Sequence, residues 1–416
     1  MSGPSIAVVS AFEAELQPVL AASAAGSLRG AGAEVTGWDA GGFPLDFPGG
    51  GFDLVLISIP SFEGIEAGAH LAARFKAAGA RRVLAFGQYA WLNAAALSAV
   101  TDGVIVDEPE GMAADLVACA RGEVTPGELG GVITGGSRVR PKRHAARQWQ
   151  VPARDLFPPL TDYPAHTTKF GLMGNIEATR GCHHRCSYCA VYASYGVTAI
   201  PIDPDVILAD ATQLAAQGAG HFVFVDAEFF NTRRHALTAM EAVAERLGPV
   251  TFEITTRFDH ILEFEAELGR MTELGLRVVT SALEFPSDKL LRIFDKGIDV
   301  PGIKQAIRVA QATGFELRPS FITFTPWVGL EEIRALESFL EETGIAASVD
   351  PTARQTRLLL YKGSPLLGSG WLDGVELIDR GFHYDWTHPD PAVDELWAER
   401  HQQAVEAGAG RCCVRC

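Results

Sequence analysis

Gly181-Cys182-His183-His184-Arg185-Cys186-Ser187-Tyr188-Cys189 places three cysteines with three and then two residues between them. Three thiolates at that spacing can fold around one corner of an iron–sulfur cube and ligate three of its four irons. The fourth iron is then open to a substrate or cofactor. The same spacing also suits a zinc knuckle, with His183 or His184 as the fourth ligand. The surrounding sequence decides between the two.

Outward from the cysteines, strand-like and helix-like stretches alternate. KFGLMGNIEAT (169–179) precedes them, and HFVFVDA (221–227), VTFEITT (250–256), LRVVTSALE (276–284), ELRPSFITF (316–324) and RQTRLLLY (354–361) follow. Helical stretches such as PDVILADATQLAAQG and VGLEEIRALESFLEETG separate them. This pattern predicts a partial (β/α)6 barrel of the TIM type over 169–365, with its active site at the carboxyl ends of the strands. The cysteines follow the first strand, where a catalytic loop belongs, and that position favours iron–sulfur over zinc.

Residues 1–120 carry a second alternation. SIAVVSAF (5–12), AEVTGWDA (33–40), FDLVLISIP (52–60), RRVLAFG (81–87) and TDGVIVD (101–107) read as strands between alanine-rich helices. Continuous apolar strands alternating with helices predict a parallel, doubly wound α/β domain whose ligands sit at the strands' carboxyl ends. Residues 121–168 are rich in Gly, Pro and Arg and read as a linker along the surface. Residues 366–416 form a C-terminal extension ending in a flexible Cys-rich tail.

Apolar residues make up 47% of the chain and charged residues 21%, with a formal charge of −16. A negative field of that size argues against a nucleic-acid partner, and the basic stretch Arg138–Arg147 is read as solvating the linker. The start of the chain does not resemble a leader peptide, and no apolar run reaches bilayer length, so a membrane partner is not expected. A cytoplasmic protein with reduced thiols follows, and its seven cysteines are better read as ligands than as disulfides. Cys119, alone on a predicted helix, reads as buried packing.

The nonapeptide resembles the CxxxCxxC motif of the radical S-adenosylmethionine superfamily, with Tyr188 in the aromatic position before the last cysteine. The resemblance runs from about Thr168 to Tyr361. It implies a [4Fe–4S] cluster on Cys182, Cys186 and Cys189, S-adenosylmethionine on the open iron, and a flavodoxin- or ferredoxin-type electron donor. DAEFF (226–230) stands where the family holds the methionine amine, which implies Asp226 and Glu228. ALEFPSDKLLRIFDKG (282–297) resembles the family's GxExxxxxxLxxxxKG segment, with Glu284 as a ribose or amine contact. Arg257 and Arg318 are candidates for the cofactor carboxylate. The domain order is similar to the cobalamin-binding branch, and VDEPEGMAADLVACARGE (106–123) resembles the segment that often ends such domains. The DxHxxG signature is missing, however: His70 is the only histidine in residues 1–120. Some members of that branch bind cobalamin without this histidine, so the expectation is a Rossmann-like domain that caps the active site, with cobalamin left open as a second cofactor.

Arg411-Cys412-Cys413-Val414-Arg415-Cys416 ends the sequence. Three soft thiolates suit a trivalent centre that takes three sulfur ligands, and arsenite meets that description. Gly408-Ala409-Gly410 reads as a hinge for this tail. Barrel and tail together resemble a small group of arsinothricin-biosynthesis radical enzymes, which implies transfer of the 3-amino-3-carboxypropyl group of S-adenosylmethionine to arsenite held by Cys412, Cys413 and Cys416. Two alternatives stand beside it: a cobalamin-dependent radical methyltransferase, and a thiol-based metalloid sensor without catalysis.

Overall fold

In the computed structural model, residues 3–13, 15–135 and 149–406 are described here. The chain divides into two compact units, Met1–Glu177 with Ile202–Phe222, and Ala178–Pro201 with Val223–Cys416.

The first unit is built on the predicted strands. β1 (Ser5–Ser10), β2 (Glu34–Asp39), β3 (Leu54–Ser58), β4 (Val83–Phe86) and β5 (Gly103–Ile105) pair in parallel, in the order β2-β1-β3-β4-β5. A sixth strand, β6 (Val132–Ile133), adds antiparallel to β5 and has too short an apolar run to be read beforehand. All residues of β3 and β4 are buried, as expected for strands covered on both faces. Helix Val19–Gly30 covers one face with Ala21, Ala22, Ala24, Ala25 and Leu28 in the core, and Cys119 lies in the same cluster. Each fully buried Leu, Ile or Phe side chain of this core contributes roughly 1.5–3 kcal/mol.

Part of the segment read as a surface linker packs into this core, through Leu129, Ala153 and Phe157. Gly26 lies so close to the chain at Val151 that a Cβ would sit 2.2 Å from its carbonyl oxygen, and a Cβ on Gly37 would sit 2.7 Å from that of Leu156. Ala153 N–H donates to Ala22 O at 2.8 Å. Arg154, 1% exposed, donates to both carboxylate oxygens of Asp210 at 2.9 and 2.8 Å and to Asn175 O at 2.6 Å. His166 accepts from Gln17 N–H at 2.8 Å through Nε2 and lies 2.7 Å from Met173 O through Nδ1, which fixes a neutral ring. β7 (Thr167–Thr168) and β8 (Gly171–Ile176) follow as an antiparallel pair.

In the second unit, β9 (Thr179–Gly181) and β10 (Ala199–Pro201) form an antiparallel pair. A curled sheet follows in the order β14-β13-β12-β11, from β11 (His221–Phe224), β12 (Thr251–Thr255), β13 (Leu276–Glu284) and β14 (Glu316–Phe321). β12, β13 and β14 pair in parallel, with register shifts at Phe252/Glu253 and Ala282/Glu284. Apolar faces of helices Arg233–Leu247, Val300–Thr313 and Leu330–Thr343 supply buried positions at helical spacing. The expected sixth barrel strand does not form. From RQTRLLLY only β15 (Leu360–Tyr361) is extended, and it joins β16 (Glu376–Asp379) and β17 (His383–Thr387) in a small antiparallel sheet, order β15-β17-β16. A single bridge, Phe324 to Arg357, reaches back to the chain beyond β14. The expected last helix spans Pro391–Glu406. Cys412, Cys413 and Cys416 lie outside the described residues.

Candidate functional site

The cysteine loop is closed at its base by the β9–β10 pair. Gly181 has φ +87°, and a Cβ there would sit 2.3 Å from Thr198 O, so only glycine fits. Cys182 N–H then donates to Thr198 O at 3.0 Å. Further contacts pin the loop along its length. His183 N–H donates to Asn231 Oδ1 at 3.0 Å, and Asn231 Nδ2 returns to Gly181 O at 3.0 Å. Ser187 Oγ donates to Ile293 O at 2.7 Å, and Tyr361 Oη donates to Tyr188 O at 2.7 Å.

Cys182, Cys186 and Cys189 are unpaired thiols, Cys186 buried and the others partly so. Burial pushes the Cys182 thiol up to about 12 and raises that of Cys189. Thiolates are therefore costly here until a metal centre neutralises them, and donors for sulfur are already in place. His184 N–H reaches Cys182 Sγ at 3.4 Å, and Arg257 Nη1 reaches Cys186 Sγ at 3.1 Å. Three free thiols in one loop, with N–H donors on Cys182 and Cys186, are the donor set that a [4Fe–4S] cluster would need.

The other expected residues gather mostly at the carboxyl ends of the same strands. Asp226 and Glu228 follow β11, Arg257 follows β12, and Glu284 ends β13. Asp226 Oδ2 accepts from Ala178 N–H at 2.9 Å. Glu228 is an internal anchor, 1% exposed. Its carboxylate accepts from Phe230 N–H at 3.0 Å, Thr256 Oγ1 at 2.7 Å and Arg257 N–H at 2.9 Å, and pairs with His260 Nδ1 at 3.0 Å. His260 would lose basicity through burial, but the hydrogen bond and charge of Glu228 raise its pKa. The His184 ring lies 4.8 Å from that of His260, tilted by 58°, and burial, with the Arg257 charge, lowers its pKa to about 4. Ligand atoms of His184, Glu228 and His260 all lie within 4.8 Å of one another.

Tyr188 donates a short hydrogen bond to Glu284 Oε1, the same oxygen that Lys296 Nζ meets at 2.9 Å. Glu284 holds φ +65°, a strained conformation for a non-glycine residue, at the register shift of β13. Arg318 stands apart from these groups. It lies within β14 and pairs with Glu253 of β12 at 2.8 Å. Lys296, Asp259, Thr256 and His260 were not singled out from sequence. Lys296 does fall in the DKG segment already quoted; the others have no sequence signal.

In the first unit, the strands' carboxyl ends carry Ser10, Asp39 and Ser58, all buried. Glu13 follows β1 and accepts from Leu20 N–H at 3.2 Å and Ala21 N–H at 3.3 Å, capping helix Val19–Gly30. Burial lifts its pKa to about 7. His70 is exposed on helix Gly64–Ala77. That edge therefore offers hydroxyls and carboxylates and, within the described residues 3–120, no imidazole.

Among the described residues no helix is long and apolar enough to cross a membrane. Residues 176–340 match the family model of the radical SAM superfamily. An uncharacterized methyltransferase of Pyrococcus horikoshii is 24% identical over 251 residues, covering 59% of this chain and 53% of that protein. The chain thus spans about half the length of this curated relative. Among solved structures, the cobalamin-dependent S-adenosylmethionine radical enzyme OxsB, with aqua-cobalamin and S-adenosylmethionine bound, aligns with a TM-score of 0.73 at 15% identity. The alignment covers 97% of this chain and 67% of that one. The radical S-adenosylmethionine methyltransferase TsrM from Kitasatospora setae, with cobalamin and a [4Fe–4S] cluster bound, aligns with a TM-score of 0.66 at 16% identity, over 83% of this chain and 74% of that one. At these identities the likeness is one of fold.

Proposed function

Because residues 176–340 match the family model of the radical SAM superfamily, we propose that this chain is a radical SAM transferase that moves an alkyl group of S-adenosylmethionine to an acceptor. The observation that carries the reading is the loop of three free cysteines at the strand ends, with Arg257 already donating to Cys186. Cys182, Cys186 and Cys189 would hold a [4Fe–4S] cluster, which supplies the electron that breaks a C–S bond of the sulfonium. The chain's own residues hold and orient. Glu228 fixes Thr256 and Arg257 at the end of β12. Glu284 ties Tyr188 of the loop to Lys296. Asp226 and Glu284 are the polar groups proposed to meet the amino acid and ribose ends of S-adenosylmethionine, while Arg257 turns to Cys186 and Arg318 pairs with Glu253.

Methyl transfer with cobalamin is the finer form that the relatives support best, through a curated methyltransferase and two cobalamin-bound enzymes of the same fold. The oxygen-rich strand ends of the first unit fit a corrinoid held through its amide side chains, with no histidine of residues 3–120 on cobalt. The second reading rests on the terminal motif 411–416: transfer of the 3-amino-3-carboxypropyl group to arsenite held by Cys412, Cys413 and Cys416, as in arsinothricin biosynthesis. The three thiols within one hexapeptide favour it, because a tethered acceptor raises its effective concentration near a short-lived radical.

One experiment separates the two. Anaerobically reconstituted protein is reduced and given S-adenosylmethionine, with or without hydroxocobalamin and with or without arsenite, and the nucleoside products are identified. S-adenosylhomocysteine formed only with cobalamin supports methyl transfer. Methylthioadenosine formed only with arsenite supports the second reading. No cleavage of S-adenosylmethionine under any condition removes the transferase reading and leaves a thiol-based metalloid sensor.

A further inference from the structure

Arg257 is the residue in which the contacts around the cysteine loop converge. Its backbone N–H donates to Glu228 Oε2 at 2.9 Å. Its Nε and Nη2 take Asp259 as a two-pronged pair at 2.8 and 2.9 Å, and Nη2 also donates to Lys296 O through a short bond. Gly297, with φ +67°, passes beside the guanidinium where a Cβ would lie 3.5 Å from Nη2, so the chain closes over the group without crowding it. A planar fork held on three sides has little freedom left. What remains points at the loop, where Nη1 lies 3.1 Å from Cys186 Sγ.

A charged N–H donor aimed at a cluster sulfur stabilises the form with more negative charge. Adding one electron to a cubane cluster raises its negative charge by one, so a donor in this position favours the reduced state. Lys296, a second buried basic group, is spoken for, since its Nζ pairs with Glu284. His260 faces Glu228. Asp259 offsets part of the Arg257 charge but takes Nε and Nη2, which leaves Nη1 to the sulfur.

We propose that Arg257 is a positioning residue that sets the reduction potential of the cluster through its hydrogen bond to Cys186. The inference rests on the radical SAM reading above. It concerns a property of the cluster that can be measured without turnover.

The test compares reconstituted wild type with Arg257→Gln and Arg257→Lys, all without S-adenosylmethionine. Iron and sulfide content are measured first, then the midpoint potential by reductive titration with dithionite followed by EPR. The expected result is a full cluster in all three, with the midpoint most negative in Arg257→Gln and intermediate in Arg257→Lys. S-adenosylmethionine affinity, measured separately on the oxidised proteins, is a second readout. A change confined to that affinity, at unchanged potential, overturns the proposal in favour of a cofactor contact. Equal potentials in all three overturn it directly. Loss of iron from both variants also overturns it, because the residue would then only build the loop. A wild type that forms no reducible cluster removes the underlying radical SAM reading instead.

Discussion

Lys296 Nζ lies 2.9 Å from Glu284 Oε1, with side chains only 4% and 3% exposed. A buried ion pair is poor evidence of net stabilisation, but breaking one side of it is expensive. This pair also holds Tyr188, so it links two segments on either side of the site to the cysteine loop.

Glu284→Gln and Lys296→Met are therefore each expected to cost about 3–5 kcal/mol, by leaving an uncompensated buried charge or donor. The double variant should lose less than the sum of the two, as coupled partners do. Urea unfolding of the four proteins checks this. Strict additivity would show that the pair is not coupled.

Iron content should distinguish the loop from the tail. Cys186→Ala is expected to lower bound iron to under about a tenth of wild type, because two remaining thiolates cannot hold a cubane cluster. Cys416→Ser should retain near-normal iron. Colorimetric iron and sulfide analysis after anaerobic reconstitution decides, and iron loss in both variants would contradict separate roles.

Glu13 gives a pH signature. Burial holds its pKa near 7 in the fold against 4.5 in the unfolded chain. A raised folded value means that its protonated form favours folding. That contribution is full below about pH 4.5 and is lost as pH climbs through about 7. The ceiling is about 3 kcal/mol, and about 2 kcal/mol after screening by water at this partly exposed site. Glu13→Gln should therefore match wild type in acid and exceed it above neutrality. Urea midpoints between about pH 5.5 and pH 8.5 test the sign.

Gly26→Ala is expected to destabilise the first unit by several kcal/mol despite the better helix propensity of alanine. The added methyl would sit 2.2 Å from Val151 O, a backbone atom that cannot rotate aside. A gain in thermal midpoint would mean that the 149–153 chain does not lie against this helix.

The parallel strands of the first unit were legible because each is a short, continuously apolar run between helical stretches, as in β3 and β4. The place of the cysteine loop was legible because its three thiols follow a strand-like run, where a loop at the strand ends belongs, whereas their spacing alone suits zinc as well as iron–sulfur. RQTRLLLY misled because an apolar run of that length does not reveal its pairing partner, and Leu360 and Tyr361 pair with His383 and Tyr384 of a later strand. Residues 149–166 misled because their composition resembles solvent-facing chain. The buried role of Arg154 depends on Asp210, 56 residues away, and no local pattern encodes that distance. Lys296 was in view within DKG, but its acidic partner lies 12 residues back, on a strand whose bulge could not be read from sequence.

The Arg154–Asp210 pair also bears on how this gene could be cut and recombined. Asp210 falls inside the stretch that matches the radical SAM family model, yet its counter-ion lies upstream of that match. Shuffling the two halves at the apparent family border would strand a carboxylate on one fragment and a guanidinium on the other. Viable chimeras should therefore carry both positions from the same parent.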